Sequence, residues 1–64
     1  MKVYAINPAE PYSGGVILIA ANSKKEAKSL IPYKSVKFTK PEEVKNLVAN
    51  VSVAQVIINY IYLE

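Results

Sequence analysis

Residues 13–27 read Ser13-Gly14-Gly15-Val16-Ile17-Leu18-Ile19-Ala20-Ala21-Asn22-Ser23-Lys24-Lys25-Glu26-Ala27. The two glycines adopt positive φ without a steric penalty, so they suit the end of a loop. Val16 to Ala21 is a continuous apolar run of strand length, rich in β-branched residues. A run that is apolar at every position predicts a strand that is covered on both faces or central in its sheet.

The polar residues after this run predict the start of a helix. Ser23 and Glu26 have the spacing of a capping box, in which the Ser23 hydroxyl accepts from the Glu26 N–H and the Glu26 carboxylate accepts from the Ser23 N–H. Pro32 cannot continue a helix, so we expect the helix to end near residue 30 or 31. The apolar residues of its packing stripe are Ala27, Leu30 and Ile31.

We call residues 13–27, with the helix that they begin, the central unit. Short strands are predicted on both sides of it. Residues 2–6 form a strand by composition, and we expect it to pair antiparallel with the strand at 16–21 across the loop at 7–15. Residues 33–39 alternate between apolar and polar side chains. This alternation, with its lysines, is typical of a half-exposed edge strand.

The last third of the chain predicts a second helix and a long strand. Thr39 and Pro41 have the positions of a cap and a first turn, so we expect a short helix that ends near residues 49–50. Residues 51–63 are mostly apolar and predict a strand that is central in the sheet or at a subunit contact. The sequence therefore predicts one α+β domain over residues 1–64, ordered β-β-α-β-(short α)-β. One main helix packs on one face of a mainly antiparallel sheet.

The last strand has apolar side chains of both parities. We assign Val56, Ile58, Tyr60 and Tyr62 to one face, and Ile57, Asn59, Ile61 and Leu63 to the other. Because a helix layer in so small a domain covers only one face of a sheet, the second face must meet a loop, a second subunit or another protein. The candidate interface residues are Ile58, Tyr60 and Tyr62.

Composition limits the classes of function. The chain has 64 residues, is 52% hydrophobic and contains no Cys, His, Asp, Trp or Arg. Without these side chains the usual nucleophilic triads and zinc ligand sets are missing, so we expect a protein that is not an enzyme and binds no metal or cofactor. No signal peptide or membrane span is visible, and we expect a cytoplasmic protein with no membrane contact.

The net charge of +3 is unevenly distributed, because residues 24–40 hold six lysines and one glutamate. We take Lys24, Lys25, Lys28 and Lys37 as candidate contacts to a nucleic acid or an acidic partner. The absence of Arg argues against reading of a DNA sequence, whereas lysines alone support salt-sensitive, non-specific binding. The alternative is a solvated lysine face that only keeps the protein in solution.

The loop before the central strand is a further candidate interaction site. It offers a carboxylate, a phenol, a hydroxyl and free backbone N–H groups, from Glu10, Tyr12, Ser13, Gly14 and Gly15. The glycine pair lacks the Lys-Ser/Thr of a phosphate-binding loop. The alternative is a stiff connector in which Tyr12 folds back onto the sheet.

One combination of these features resembles a known group of proteins. The resemblance rests on Tyr12-Ser13-Gly14-Gly15, the Ala20-Ala21 strand end, Ser23 with Glu26-Ala27, and the terminal Asn59-Tyr60-Ile61-Tyr62-Leu63-Glu64. This pattern is similar to very short uncharacterised proteins of bacterial genomes and their prophages. The resemblance implies a mobile-element origin and brings no activity with it.

These observations leave three hypotheses for function. The first is a non-enzymatic protein-interaction module that forms a homo-oligomer, or binds another protein, through the C-terminal strand or the open sheet face. The second is an accessory nucleic-acid-binding protein that uses the lysine patch. The third is a phage or mobile-element inhibitor of an enzyme, acting through the basic face or the loop at 10–15.

Overall fold

The computed structural model describes residues 1–63 and contains one antiparallel sheet and one short helix. The elements are β1 (Lys2–Ile6), β2 (Ser13–Ala21), α1 (Lys24–Ser29), β3 (Glu42–Val48) and β4 (Gln55–Leu63). The strand order is β3-β1-β2-β4, and each neighbouring pair is antiparallel. The predicted α+β class, with a mainly antiparallel sheet, is confirmed.

The apolar run of the central unit forms an inner strand, as predicted. β2 pairs with β1 from Ile17 to Ala21 and with β4 along most of its length. Ile17 and Ile19 are fully buried and face the helix side of the sheet. Burial of an aliphatic side chain of this size stabilises the fold by about 1.5–3 kcal/mol.

The main core lies between the sheet and α1. Its buried members are Tyr4, Ile6, Ile17, Ile19, Ala21 and Ala27. Leu30 and Ile31 pack against it from the end of the helix, so the predicted packing stripe is confirmed. Asn59 also lies on this side of β4, where its side-chain carbonyl accepts a hydrogen bond from the Tyr33 hydroxyl over 3.0 Å.

Of the two hydrogen bonds in the predicted capping box, one is confirmed and the other is wrong. The Ser23 hydroxyl accepts from the Glu26 N–H over 3.1 Å. The Glu26 carboxylate accepts from the backbone N–H of Asn22 over 2.7 Å, and not from that of Ser23. Because Ser23 is fully extended, with φ −153° and ψ 164°, the N–H one residue further back comes within reach of the carboxylate. The helix ends at Ser29, close to the predicted point.

The strand predicted at 33–39 is wrong. This segment is irregular and holds only an isolated bridge between Phe38 and Pro8. Its backbone still bonds to the loop before β2: the Ala9 N–H donates to the Lys37 carbonyl, and the Thr39 N–H donates to the Asn7 carbonyl. Phe38 packs against the helix-side core, so the alternating apolar residues serve packing without a strand.

The second helix predicted after Thr39 is also wrong. Glu42–Val48 forms β3, which pairs with the outer edge of β1. Pro41 and the glutamates resemble a helix start, but local propensity is weak beside the backbone hydrogen bonds that a free strand edge offers. β1 is shorter than β3, and the register shifts between Lys2 and Tyr4.

β4 lies at one edge of the sheet, next to β2, so the predicted central position is wrong. The alternative, that β4 lies at a subunit contact, stays a prediction. Ile58 pairs with Leu18 and Val56 pairs with Ile19, which leaves Ile57 as an extra residue. This register shift turns Val56 to the helix side, where it packs on the core, so its assignment to the same face as Ile58 is wrong.

β3 and β4 occupy opposite edges, and residues 49–54, the strap, connect them across one end of the sheet. Six extended residues reach about 20 Å, enough for three strand spacings of about 4.8 Å. The strap is tied to the first residue, because the Met1 amino group donates to the Ala49 carbonyl and the Ala49 N–H donates to the Met1 carbonyl. Val3 and Ala20, which pair with each other and point away from α1, are fully buried at this end.

We predict that Ser23→Ala lowers the free energy of unfolding by about 1 kcal/mol, because the Glu26 N–H loses its acceptor. The measurement is urea denaturation followed by circular dichroism. Lys25→Ala, an exposed change on the same helix, is the control and should shift stability by less than about 0.5 kcal/mol. Equal losses in the two variants would show that the cap contributes nothing.

Candidate functional site

The sheet face away from α1 carries a row of apolar side chains, of which those on β4 are exposed and those on β2 are half-buried. We call Val16, Leu18, Ile58, Tyr60 and Tyr62 the open face, since pairing across β2 and β4 places all five on this side. Ile58, Tyr60 and Tyr62 are 47%, 65% and 52% exposed. Single exposed apolar residues are ordinary on a protein surface, whereas large contiguous apolar patches are typical of interaction surfaces. The three interface residues predicted from the sequence therefore lie together on one face.

Two glycines of β2 fix the position of the tyrosines. A Cβ on Gly14 would overlap the ring and hydroxyl of Tyr62, so that ring lies directly over the glycine backbone. Gly15, with φ 106°, lets the Tyr60 carbonyl come close to β2. Both glycines lie inside β2, where the sequence indicated the end of a loop. Their role is to let β4 approach β2 closely.

The two tyrosines also contact each other. Their ring centroids are 6.1 Å apart, with an interplanar angle of 66°, which is the edge-to-face arrangement that aromatic pairs prefer. Packing against Gly14 and against each other restricts both rings before any partner arrives. An interface built on such rings loses less side-chain entropy on binding.

The two edges of the sheet are chemically different. β3 follows a buried proline and carries Glu42, Glu43 and Lys45, features that discourage unwanted strand pairing. Gln55–Leu63, the whole of β4, contains neither a charged residue nor a proline. The apolar open face therefore adjoins the uncharged edge of the sheet.

An apolar groove lies next to the open face, beneath the strap. Its volume is 280 Å³, and the residues that line it are Val3, Leu18, Leu47, Ile57, Ile58 and residues 48–51, where β3 passes into the strap. Sequence reasoning missed Leu47 and Val51 as functional candidates. Leu47 lies on β3, at the far edge of the sheet from β4, so the sequence gives no signal that brings them together.

The loop before β2 holds itself in place with its own polar groups. The Glu10 carboxylate accepts from the Lys37 N–H over 3.2 Å, and the Ser13 hydroxyl donates to the Glu10 carbonyl. The Asn7 amide donates to the Gly15 carbonyl over 2.9 Å. Most of the groups that made this loop a candidate are thus used to fix its shape.

Tyr12 is the exception in this loop. It is 81% exposed, so its ring does not fold back onto the sheet as the connector alternative assumed. Its φ of 59° is left-handed, a conformation that costs a non-glycine residue about 1–2 kcal/mol. The loop therefore holds an aromatic side chain outward in a strained conformation.

Three of the four lysine candidates lie on the helix side of the molecule. Lys24, Lys25 and Lys28 are exposed on α1, which packs on the sheet face opposite the open face. Lys37 is exposed on the irregular segment that bonds to the loop before β2. The lysines of α1 and the open face are therefore on opposite sides of the sheet.

Within residues 1–63 no three acidic side chains come close enough together to hold a metal ion. In the same part of the chain no helix is long and apolar enough to cross a membrane. Comparisons with protein-family models, with curated proteins and with solved structures give no match. The resemblance to short prophage proteins stays a prediction.

We predict that Tyr12→Asn raises the free energy of unfolding by about 0.5–1 kcal/mol, because Asn tolerates the left-handed conformation better than Tyr. Thermal and urea denaturation measure the change. Tyr12→Phe is the control and should leave stability unchanged, since it keeps the strain and the exposed ring. A loss of stability in Tyr12→Asn would mean that the ring makes a stabilising contact.

Proposed function

We propose that this protein is a non-enzymatic interaction module that associates with a second copy of itself through the open face. The observation that carries the proposal is the row of Ile58, Tyr60 and Tyr62, exposed side by side on a sheet face that has no helix layer. Exposed aromatic side chains of this kind dominate the energetics of protein interfaces.

The charge distribution supports the same choice. Two copies with a net charge of +3 repel each other least when their lysines are far apart. The lysines of α1 lie behind the sheet, and the molecule is 15 Å thick. This exceeds the screening length of about 8 Å at physiological ionic strength, so contact through the open face keeps the α1 lysines of the two copies screened from each other.

A separate observation favours a second role for the lysines of α1, which we call the basic side. Lys24, Lys25 and Lys28 are exposed on α1, while the carboxylate of Glu26 is engaged by the Asn22 N–H. The ammonium groups of these lysines are therefore exposed. Glu26, the acidic residue nearest to them in sequence, already accepts a hydrogen bond in the helix cap. This surface suits non-specific contact with a nucleic acid backbone, and it stays accessible when the open face is covered.

We predict that Tyr60→Lys strongly weakens self-association, because it places a charge in an apolar interface. Sedimentation velocity over about 5–200 μM should show a concentration-dependent dimer for the wild type, with a dissociation constant raised more than about tenfold in the variant. Tyr12→Lys makes the same change at an exposed tyrosine outside the open face and should leave the dimer intact.

A wild-type protein that sediments only as the 7.1 kDa monomer across this range would contradict the proposed function. Dissociation in Tyr12→Lys as strong as in Tyr60→Lys would show that added charge, and not the open face, is responsible. Circular dichroism of each variant checks that the fold is retained.

For the basic side, we predict weak oligonucleotide binding that falls steeply between about 50 and 200 mM salt. The triple variant Lys24→Gln, Lys25→Gln, Lys28→Gln should bind more weakly and reduce the salt slope, because fewer phosphates are neutralised. Fluorescence anisotropy with a labelled single strand measures both. Lys45→Gln, an exposed lysine on β3, is the control. Absence of binding by the wild type at low salt excludes this role.

A further inference from the structure

A second recess lies on the helix side of the sheet, between the end of α1 and the irregular segment that follows it. We call this recess the cleft, and the residues that line it are Lys28, Ile31, Tyr33, Val36, Phe38 and Thr39. Its volume is 210 Å³. Because apolar cavities of about 150 Å³ hold a benzene molecule, the cleft has room for one ring with a small substituent.

The aromatic walls of the cleft are held in place. The ring centroids of Tyr33 and Phe38 are 5.8 Å apart, with an interplanar angle of 40°, and both side chains pack against the helix-side core. The Tyr33 hydroxyl is fixed by its hydrogen bond to Asn59 over 3.0 Å. A planar ring that enters the cleft meets walls that are already ordered, which lowers the entropy cost of binding.

The polar groups of the cleft are hydrogen-bond donors. Lys28 contributes an ammonium group, which has three N–H donors and no acceptor. The Thr39 hydroxyl oxygen accepts from the Asn7 N–H over 3.1 Å, and its hydrogen is available to donate. The described lining contains no carboxylate. The cleft therefore suits a ring that carries negative charge and acceptor atoms.

The lysines around the cleft extend beyond it. Lys24 lies one turn before Lys28 on the same face of α1, which places their Cβ atoms about 5–6 Å apart. On the other wall, the exposed lysines that lie between or next to lining residues are Lys34, Lys37 and Lys40. A row of cations beside a ring-sized cleft favours a chain of linked anions over a small free anion. Single-stranded nucleic acid has this chemistry, since each phosphate is accompanied by a base.

We propose that the cleft takes one base of a single-stranded nucleic acid while the lysines around it contact the phosphates. This inference rests on the proposed nucleic-acid contact of the basic side and adds a site for a base. An unpaired strand supplies the base more readily than a duplex, because a duplex must first unstack and unpair it. Since every base has a flat apolar ring, the cleft accepts bases without reading their sequence.

The test compares two labelled strands of equal length, an oligothymidylate and an abasic strand that carries the same phosphates without bases. The protein should bind the oligothymidylate at least about fivefold more tightly, which is the lower end of what one stacked base contributes. Fluorescence anisotropy at about 50 mM salt measures both affinities. Equal affinities would overturn the insertion of a base and keep the phosphate contact of the basic side. No binding of either strand would overturn both.

Two variants locate the base on the protein. Val36→Gln places a longer uncharged side chain in the cleft, and Ser35→Gln puts the same residue at an exposed neighbour outside the described lining. Val36→Gln should remove most of the preference for the oligothymidylate, while Ser35→Gln keeps the wild-type preference. An unchanged preference in Val36→Gln would show that the base binds elsewhere. Circular dichroism confirms that both variants are folded before the comparison is made.

An acidic peptide is the alternative occupant, because an aromatic side chain beside glutamates also offers a ring with negative charge. A peptide of alternating glutamate and tyrosine therefore serves as a competitor for both labelled strands. At equal concentration the peptide should leave the oligothymidylate bound. Displacement of the oligothymidylate, but not of the abasic strand, by less than an equal concentration of peptide would assign the cleft to a protein partner and overturn the proposal.

Discussion

The sheet of this protein has two apolar faces, and residues 1–63 contain one helix, of six residues, to cover them. β2 imposes this constraint, since Ile17 and Ile19 point to the helix side while Val16 and Leu18 point to the other. The helix and the irregular segment after it cover the first face. The strap covers one end of the second face, and the remainder stays exposed.

The central unit was readable from sequence because its signals are local. The apolar run and the Ser23–Glu26 pair each act within a few residues, so the end of β2 and the bounds of α1 were predicted nearly correctly. The start of β2 was not, because Gly14 and Gly15 lie inside the strand, against the distant β4. Residues 33–48 were not, because their structure depends on distant partners. Residues 42–48 form a strand because they pair with the free edge of β1. Phe38 is held by packing on the core, without strand pairing.

The candidate site was predictable to a similar extent. Alternation along β4 placed Ile58, Tyr60 and Tyr62 on one face, and their exposure agrees with that grouping. The register shift at Ile57 could not be seen, so Val56 was assigned to the wrong face. The groove was invisible because it joins β3, β4 and the strap. The loop at 10–15 was chosen for its polar groups, most of which hold the loop itself.

The most direct test of the open face is an isotope-filtered nuclear Overhauser experiment on an equimolar mixture of ¹³C-labelled and unlabelled protein. Only contacts between two copies give signals in this measurement. Self-association through the open face predicts signals from the ring protons of Tyr60 and Tyr62 to methyl groups of the second copy's open face, among them Leu18 and Ile58. No signals at a concentration of about 1 mM, where even weak micromolar dimers are populated, or signals confined to the α1 side, would contradict it.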